Sequence, residues 1–195
     1  MIYERNAERI AKRGVVAGIT DRNGRLRDPL CGVQVEAGTA SGRTRGIYAK
    51  LIRSTPGKHD GLYWEVAAGQ PQSPAGPLLA AAAAQGYGRK QGATGPSPYH
   101  GYFYRTLDSQ GPAATGGARN YVVGGKLKGG FALLAYPDAY GASGVMTFMV
   151  NQDGVVWQRD LGEKTAELAA AIQKFNPDSS WTPIPAETDS ASAGP

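Results

Sequence analysis

The pattern of apolar and polar positions changes along the chain, and the change divides it. Residues 3–13 read as a short helix: Glu4 and Glu8 stand early and Lys12 and Arg13 late, as the helix dipole favours. Its apolar face is thin (Ile2, Ala7, Ile10, Ala11), and Gly14 is a helix stop. Residues 14–46 show no sustained period, only a turn signal at Arg22-Asn-Gly-Arg25. Residues 47–64 hold the turn pair Pro56-Gly57, with Leu62, Tyr63 and Trp64 placed to anchor the chain onto a core. Pro71, Pro74 and Pro77 make an extended linker. Pro77 also suits the first position of an alanine-rich helix that runs to Gln85 and stops at Gly86.

From Pro98 onward the period becomes two. Tyr99 to Leu107 reads as a strand, with Tyr102, Tyr104 and Thr106 on one face and Phe103, Arg105 and Leu107 on the other. Residues 108–118 read as a Gly/Pro/Ala loop, and Tyr121 to Val123 as a short strand. Gly124-Gly125 and Gly129-Gly130 bracket Lys126 to Lys128 as tight turns do. Phe131–Tyr136 and Val145–Val150 are continuous apolar runs, hence buried strands. Asn151 to Gly154 is a hairpin signal, and Val155 to Trp157 returns antiparallel. Asp160 and Glu163 have capping-box spacing, and the predicted helix after them carries Leu161, Leu168, Ile172 and Phe175 as its stripe until Asn176-Pro177 ends it. Trp181 is placed to tuck back onto the core. The expected fold is α+β: an antiparallel meander of about four strands over 98–160 with flanking helices.

Composition and charge then fix the domain plan. Among 195 residues, Gly numbers 28 and Pro 13, which is turn-rich without reaching low complexity. Residues 1–60 carry 12 Lys/Arg against 6 Asp/Glu, and the remainder 9 against 10, so the net charge of +5 belongs to the first third. Three segments are expected: a basic, poorly ordered or non-native segment over 1–46, a single domain over 47–183, and a small, polar, disordered tail over 184–195. The single cysteine, Cys31, excludes an internal disulfide framework. The longest purely apolar run, Leu78–Ala84, is too short to span a membrane as a helix, and the first residues lack the apolar core of a signal peptide.

Catalytic motifs fail on spacing. The Gly57-Lys58 pair lacks the first glycine of a phosphate loop, and His59 stands where Ser or Thr belongs. Gly141-Ala-Ser143-Gly144 is one residue short of a nucleophile elbow. His59 and His100 lie too far apart for a ligand pair, so neither a metal nor a cofactor is expected. One constellation stands out: Tyr99, His100, Tyr102, Tyr104 and Arg105 gather aromatic rings, a titratable ring and a cation in one short stretch. Exposed together, they would form a ridge able to stack on a ligand. As a core strand, they would fill the interior instead. His100 as a general base needs a carboxylate, with Asp108, Asp138 and Asp153 as candidates.

The stretches Ser54–Trp64, Pro98–Arg105, Gly129–Pro137 and Tyr140–Trp157 together resemble an uncharacterised bacterial family, number 2950 of the domains of unknown function, over about residues 47–183. The resemblance implies an exported, periplasmic or cell-envelope protein and supplies no catalytic residues. The strand-turn-strand region around Gly144–Leu161 is also similar, at the level of fold, to pilin-like heads. Residues 1–46 depart from the family's pattern; their Arg/Gly-rich, aperiodic composition is what a frameshift or misplaced start produces.

Two readings of function follow. The first is a non-enzymatic envelope module that binds a protein or a cell-wall polymer through the tyrosine ridge. The second is a hydrolase centred on His100 with a nearby Asp. A nucleic-acid-binding basic arm is a third and is not favoured, because its arginines have neither a fold nor interleaved aromatics.

Overall fold

A computed structural model describes residues 48–58, 60–67, 69–70, 73, 76, 98–99 and 101–184. The helices expected over 3–13 and Pro77–Gln85 lie outside the described residues, as do the 1–46 segment and the tail beyond Ile184.

The strands over the second half form where the period-two pattern places them. β3 (Tyr102–Leu107), β8 (Ala132–Pro137), β9 (Met146–Asn151), β10 (Trp157–Asp160) and β11 (Thr182–Pro183) make one five-stranded sheet in the order β11-β10-β9-β8-β3. Every neighbouring pair is antiparallel. β8 and β9 are central, and their continuous apolar runs follow from burial on both faces. Register sorts the side chains. Tyr102, Leu133, Ala135, Phe148 and Val150 share one face, closed over by Tyr48, Ile52 and Leu62. Leu107, Ala132, Leu134 and Met149 share the other, beneath Tyr121, Phe175 and Trp181.

Short strands complete the fold. β1 (Leu51–Arg53) and β2 (Gly61–Tyr63) are parallel, with Leu51 opposite Gly61. Parallel strands ordinarily need a long crossover; here the connection is only residues 54–60. The Pro56-Gly57 turn closes with Lys58 N–H donating to Thr55 O at 2.9 Å, with Gly57 at φ +76°. Asp60 then accepts from the Thr55 amide and hydroxyl, each at 2.7 Å. Gly61 is required, since a Cβ there would sit 2.6 Å from Ser54 N. β4 (Ser109–Gln110), inside the stretch expected to be loop, pairs with β5 (Arg119–Asn120), which follows that stretch. β6 (Val122–Val123) and β7 (Lys126–Leu127) form the hairpin expected at Gly124-Gly125, whose φ values of +59° and +74° are those of a primed hairpin turn.

The α+β expectation is corrected. Among the described residues the chain is mostly β, and the one helix with defined ends is α1 (Thr165–Ala171). The predicted capping box does not form. Asp160 instead accepts from Gly162 N–H at 2.7 Å and from the Tyr140 hydroxyl at 3.2 Å, so α1 starts at Thr165 after an uncapped Lys164. It unwinds at Ile172, ψ 103°, because the chain there turns extended and Phe175 pairs with Gln110 in a parallel bridge. The predicted stripe therefore does not exist as one helical face. Thr165 and Ala169 are the buried positions of α1, and Leu168 stays 42 % exposed. Trp181 does tuck into the core.

Candidate functional site

Tyr99–Arg105 folds as a turn and a core strand. Tyr99 and Tyr102 exchange backbone hydrogen bonds across a tight turn, with Gly101 at φ +78°. Tyr102 is 1 % exposed, and its ring lies 5.9 Å from Phe148. Tyr104 is half-buried, but its hydroxyl is enclosed without a hydrogen-bond partner. That enclosure raises its phenol pKa, and the neighbouring Tyr99 and Tyr102 add to the rise. Tyr99 meets Tyr104 edge-on at 6.0 Å. The joint exposure that a stacking ridge needs is absent at Tyr102: the aromatic spacing reports a strand facing the core. Arg105, on the opposite face, donates to Ala169 O at 2.7 Å and Ile172 O at 2.5 Å. Its guanidinium thus ends α1, where the helix dipole favours a cation.

His100 lies outside the described residues. Asp138 N–H donates to Gly101 O at 2.9 Å, so Asp138 stands beside the turn. Asp108 and Asp153 stand at the other end of the strands, about 20 Å away along β3. Ser143 also lies at the turn, but its hydroxyl accepts from Ala139 N–H at 2.9 Å and donates to Ala139 O at 3.1 Å. Its proton is committed within its own turn rather than offered to a base. No group of three or more metal-ligating side chains gathers among the described residues. No helix there is long and apolar enough to cross a membrane.

The concave surface lies elsewhere, on the face that carries α1. A cleft of about 450 Å³ opens there; Met149, Leu161, Leu168 and Trp181 make its apolar lining, and Arg159 and Asn176 its polar edge. Its walls are held by the chain. Gly111 N–H donates to Phe175 O at 2.8 Å, and Phe175 N–H to Ser109 O at 3.0 Å. Asn176 Oδ1 accepts from Ala113 N–H at 2.9 Å, and Gly111 permits this approach, since a Cβ there would lie 2.3 Å from that oxygen. On the opposite rim Arg159 donates to the Ser180 hydroxyl at 2.8 Å, and Ser180 donates in turn to Asp178. The Ser180 hydroxyl, then its amide, holds the Asp178 carboxyl below its ordinary pKa, with Arg159 adding to the effect. The rim therefore sets the Asp178 carboxylate beside the Arg159 guanidinium, and Lys174 lines the same cleft. Such a cleft can take an extended ligand with apolar and hydrogen-bonding faces.

Sequence reasoning missed these residues. Arg159 and Trp181 meet only because β10 pairs with β11, and Leu168 looks like a core position until α1 is seen to end early. A large apolar residue at an exposed helical position is the signal, visible only once the true buried face is known.

The family model described as "Protein of unknown function (DUF2950)" matches residues 33–184, beginning ahead of the start expected at residue 47. No curated protein and no solved structure matches the chain.

Proposed function

The chain belongs to the DUF2950 family of proteins of unknown function, and from that premise we propose that it is a non-enzymatic binding module of the cell envelope that holds a wall polymer in the cleft beside α1. The observation that carries the reading is the cleft itself: Leu161, Leu168 and Ile172 open an apolar lining over the buried Met149 and Trp181, inside a hydrogen-bonded polar rim. Sugar rings present apolar faces that an aliphatic lining can cover, and their hydroxyl and carboxylate groups need donors and acceptors at the edge, so both parts of the cleft have a counterpart in a glycan–peptide polymer. The envelope location is the implication of the family resemblance. Co-sedimentation with isolated peptidoglycan sacculi tests the reading. The wild type is expected to pellet with the sacculi and Leu168→Asp to remain in the supernatant. Equal pelleting of both, or of neither, contradicts it.

One observation keeps a second reading, a hydrolase centred on His100. Asp138, one candidate carboxylate, donates its backbone N–H to the carbonyl of Gly101, the residue that follows that histidine in sequence. That reading requires Asp138→Asn and His100→Ala each to abolish turnover of the wall polymer, with a rate profile bending near about pH 6–7.

A further inference from the structure

A second cleft lies across the strip formed by Ser109–Gly111 and Lys174–Asn176. It has a volume of about 560 Å³, and its lining includes Lys50, Arg119, Lys174 and Asp108. Three cations and one carboxylate thus face a single concavity. Among the described residues the ion pair is Arg53 with Glu65, and none of the three cations pairs with a described carboxylate within 4.0 Å. Asp108 accepts a long contact from the adjacent Ser109 hydroxyl at 3.5 Å.

Arg119 is the organised member. Its guanidinium sits 5.6 Å over the Tyr121 ring, and its Nη2 donates to Gln110 Oε1 at 3.4 Å. Both supports are rigid. Tyr121 is fully buried, and its hydroxyl donates to the same Gln110 oxygen at 2.7 Å. Gln110, 2 % exposed, spends its amide protons on Thr115 O at 2.9 Å and Gly117 O at 2.6 Å. A buried glutamine with its bonding filled thus locks the loop and holds one edge of the Arg119 fork. A guanidinium carries five donors, so four remain for a ligand. Lys50 is positioned by its carbonyl, which accepts the Thr106 hydroxyl proton at 2.6 Å.

We infer that this cleft binds a phosphate-bearing ligand, with the pre-oriented Arg119 fork gripping phosphate oxygens and Lys50 and Lys174 neutralising the remaining charge. A multiply charged anion, rather than a lone carboxylate, matches two ammonium groups beside a bidentate donor. Lys174 lines both clefts, whereas Lys50 and Arg119 line only this one, so the variants at Lys50 and Arg119 separate a failure here from a failure of the wall-polymer reading.

Inorganic tripolyphosphate is the probe, titrated calorimetrically into the full chain at low salt and again at high salt. Lys50→Gln, Lys174→Gln and Arg119→Lys are each expected to weaken binding about fivefold to tenfold. Arg119→Lys keeps the charge and loses only the fork and the ring contact, which a diffuse field would not register. Lys164→Gln, outside the cleft, is expected to change affinity less than about twofold. Circular dichroism melting of each variant separates lost binding from lost folding. Absence of binding overturns the inference. So does a Lys164→Gln loss equal to the cleft variants, or an Arg119→Lys variant that binds like the wild type.

Discussion

Replacing Arg105 decides whether the most polar member of the Tyr99–Arg105 constellation serves a ligand or the fold. Its guanidinium bonds two carbonyls where α1 ends, at 2.7 Å to Ala169 O and 2.5 Å to Ile172 O. Hydrogen bonds to a charged group contribute about 1.5–3 kcal/mol each when protected from water. Arg105 is only half-buried, so the lower end applies, and freed carbonyls near the surface recover part of the loss by hydration. Arg105→Met keeps most of the stem's packing and removes both bonds and the favourable dipole interaction. The expected cost is about 2–3 kcal/mol. With a urea slope of about 2 kcal/mol/M, the unfolding midpoint falls by about 1–1.5 M. Both bonds leave a single nitrogen, Nη2, so the Arg105→Lys ammonium keeps the charge and recovers part of them, and is expected to lose about half as much. Urea unfolding followed by circular dichroism reads both. A midpoint unchanged in Arg105→Met, together with lost sacculus binding, refutes the structural role and returns Arg105 to a ligand.

Two further outcomes follow from the geometry. Gly144→Ala places a Cβ 2.1 Å from the Tyr102 hydroxyl and 2.7 Å from its ring carbon, so it is expected to cost about 1–3 kcal/mol in thermal unfolding. The cost shrinks in a Tyr102→Phe background, and a Gly144→Ala protein that melts like the wild type contradicts the packing. The second concerns acid. The Thr55 hydroxyl, then the Thr55 amide, holds the Asp60 carboxyl below its ordinary pKa. A depressed carboxyl stabilises the fold above its unfolded value, about 4, and that contribution is lost as pH falls through the folded value. The Thr55 amide resonance is therefore expected to move only on titration below about pH 4, and Asp60→Asn to remove that movement; an amide indifferent to acid down to about pH 2 counts against the Thr55–Asp60 bonds.

The legible part of the sequence was the part whose signal is local. The runs that became β8 and β9 were apolar enough to demand central strands, and Gly124-Gly125 marked a tight turn. The alternation through β3 assigned its two faces as the structure has them, Tyr102 with Tyr104 and Arg105 with Leu107. Which face is wet was not legible, because it depends on Tyr48, ahead of β1, and on Ile52 and Leu62 arriving from β1 and β2. Those strands are three residues each, pair in parallel with one another, and are tied to β3 by the long-range bond of Thr106 to Lys50 O. The helix after Asp160 was overextended for a similar reason. Its period continues past Ile172, but Arg105 takes the carbonyls there and Phe175 is drawn into a bridge with Gln110. Both clefts form along that strip, so neither could be read before the tertiary pairing was known.

The central claim is that the cleft beside α1, and not the tyrosine strand, receives the ligand. Amide chemical-shift mapping with soluble peptidoglycan fragments tests it most directly. The shifts are expected to gather at Leu168, Ile172, Asn176 and Trp181, with the Tyr99–Tyr104 amides unmoved. Shifts centred on Tyr99–Tyr104, or none at all at saturating fragment, would contradict it.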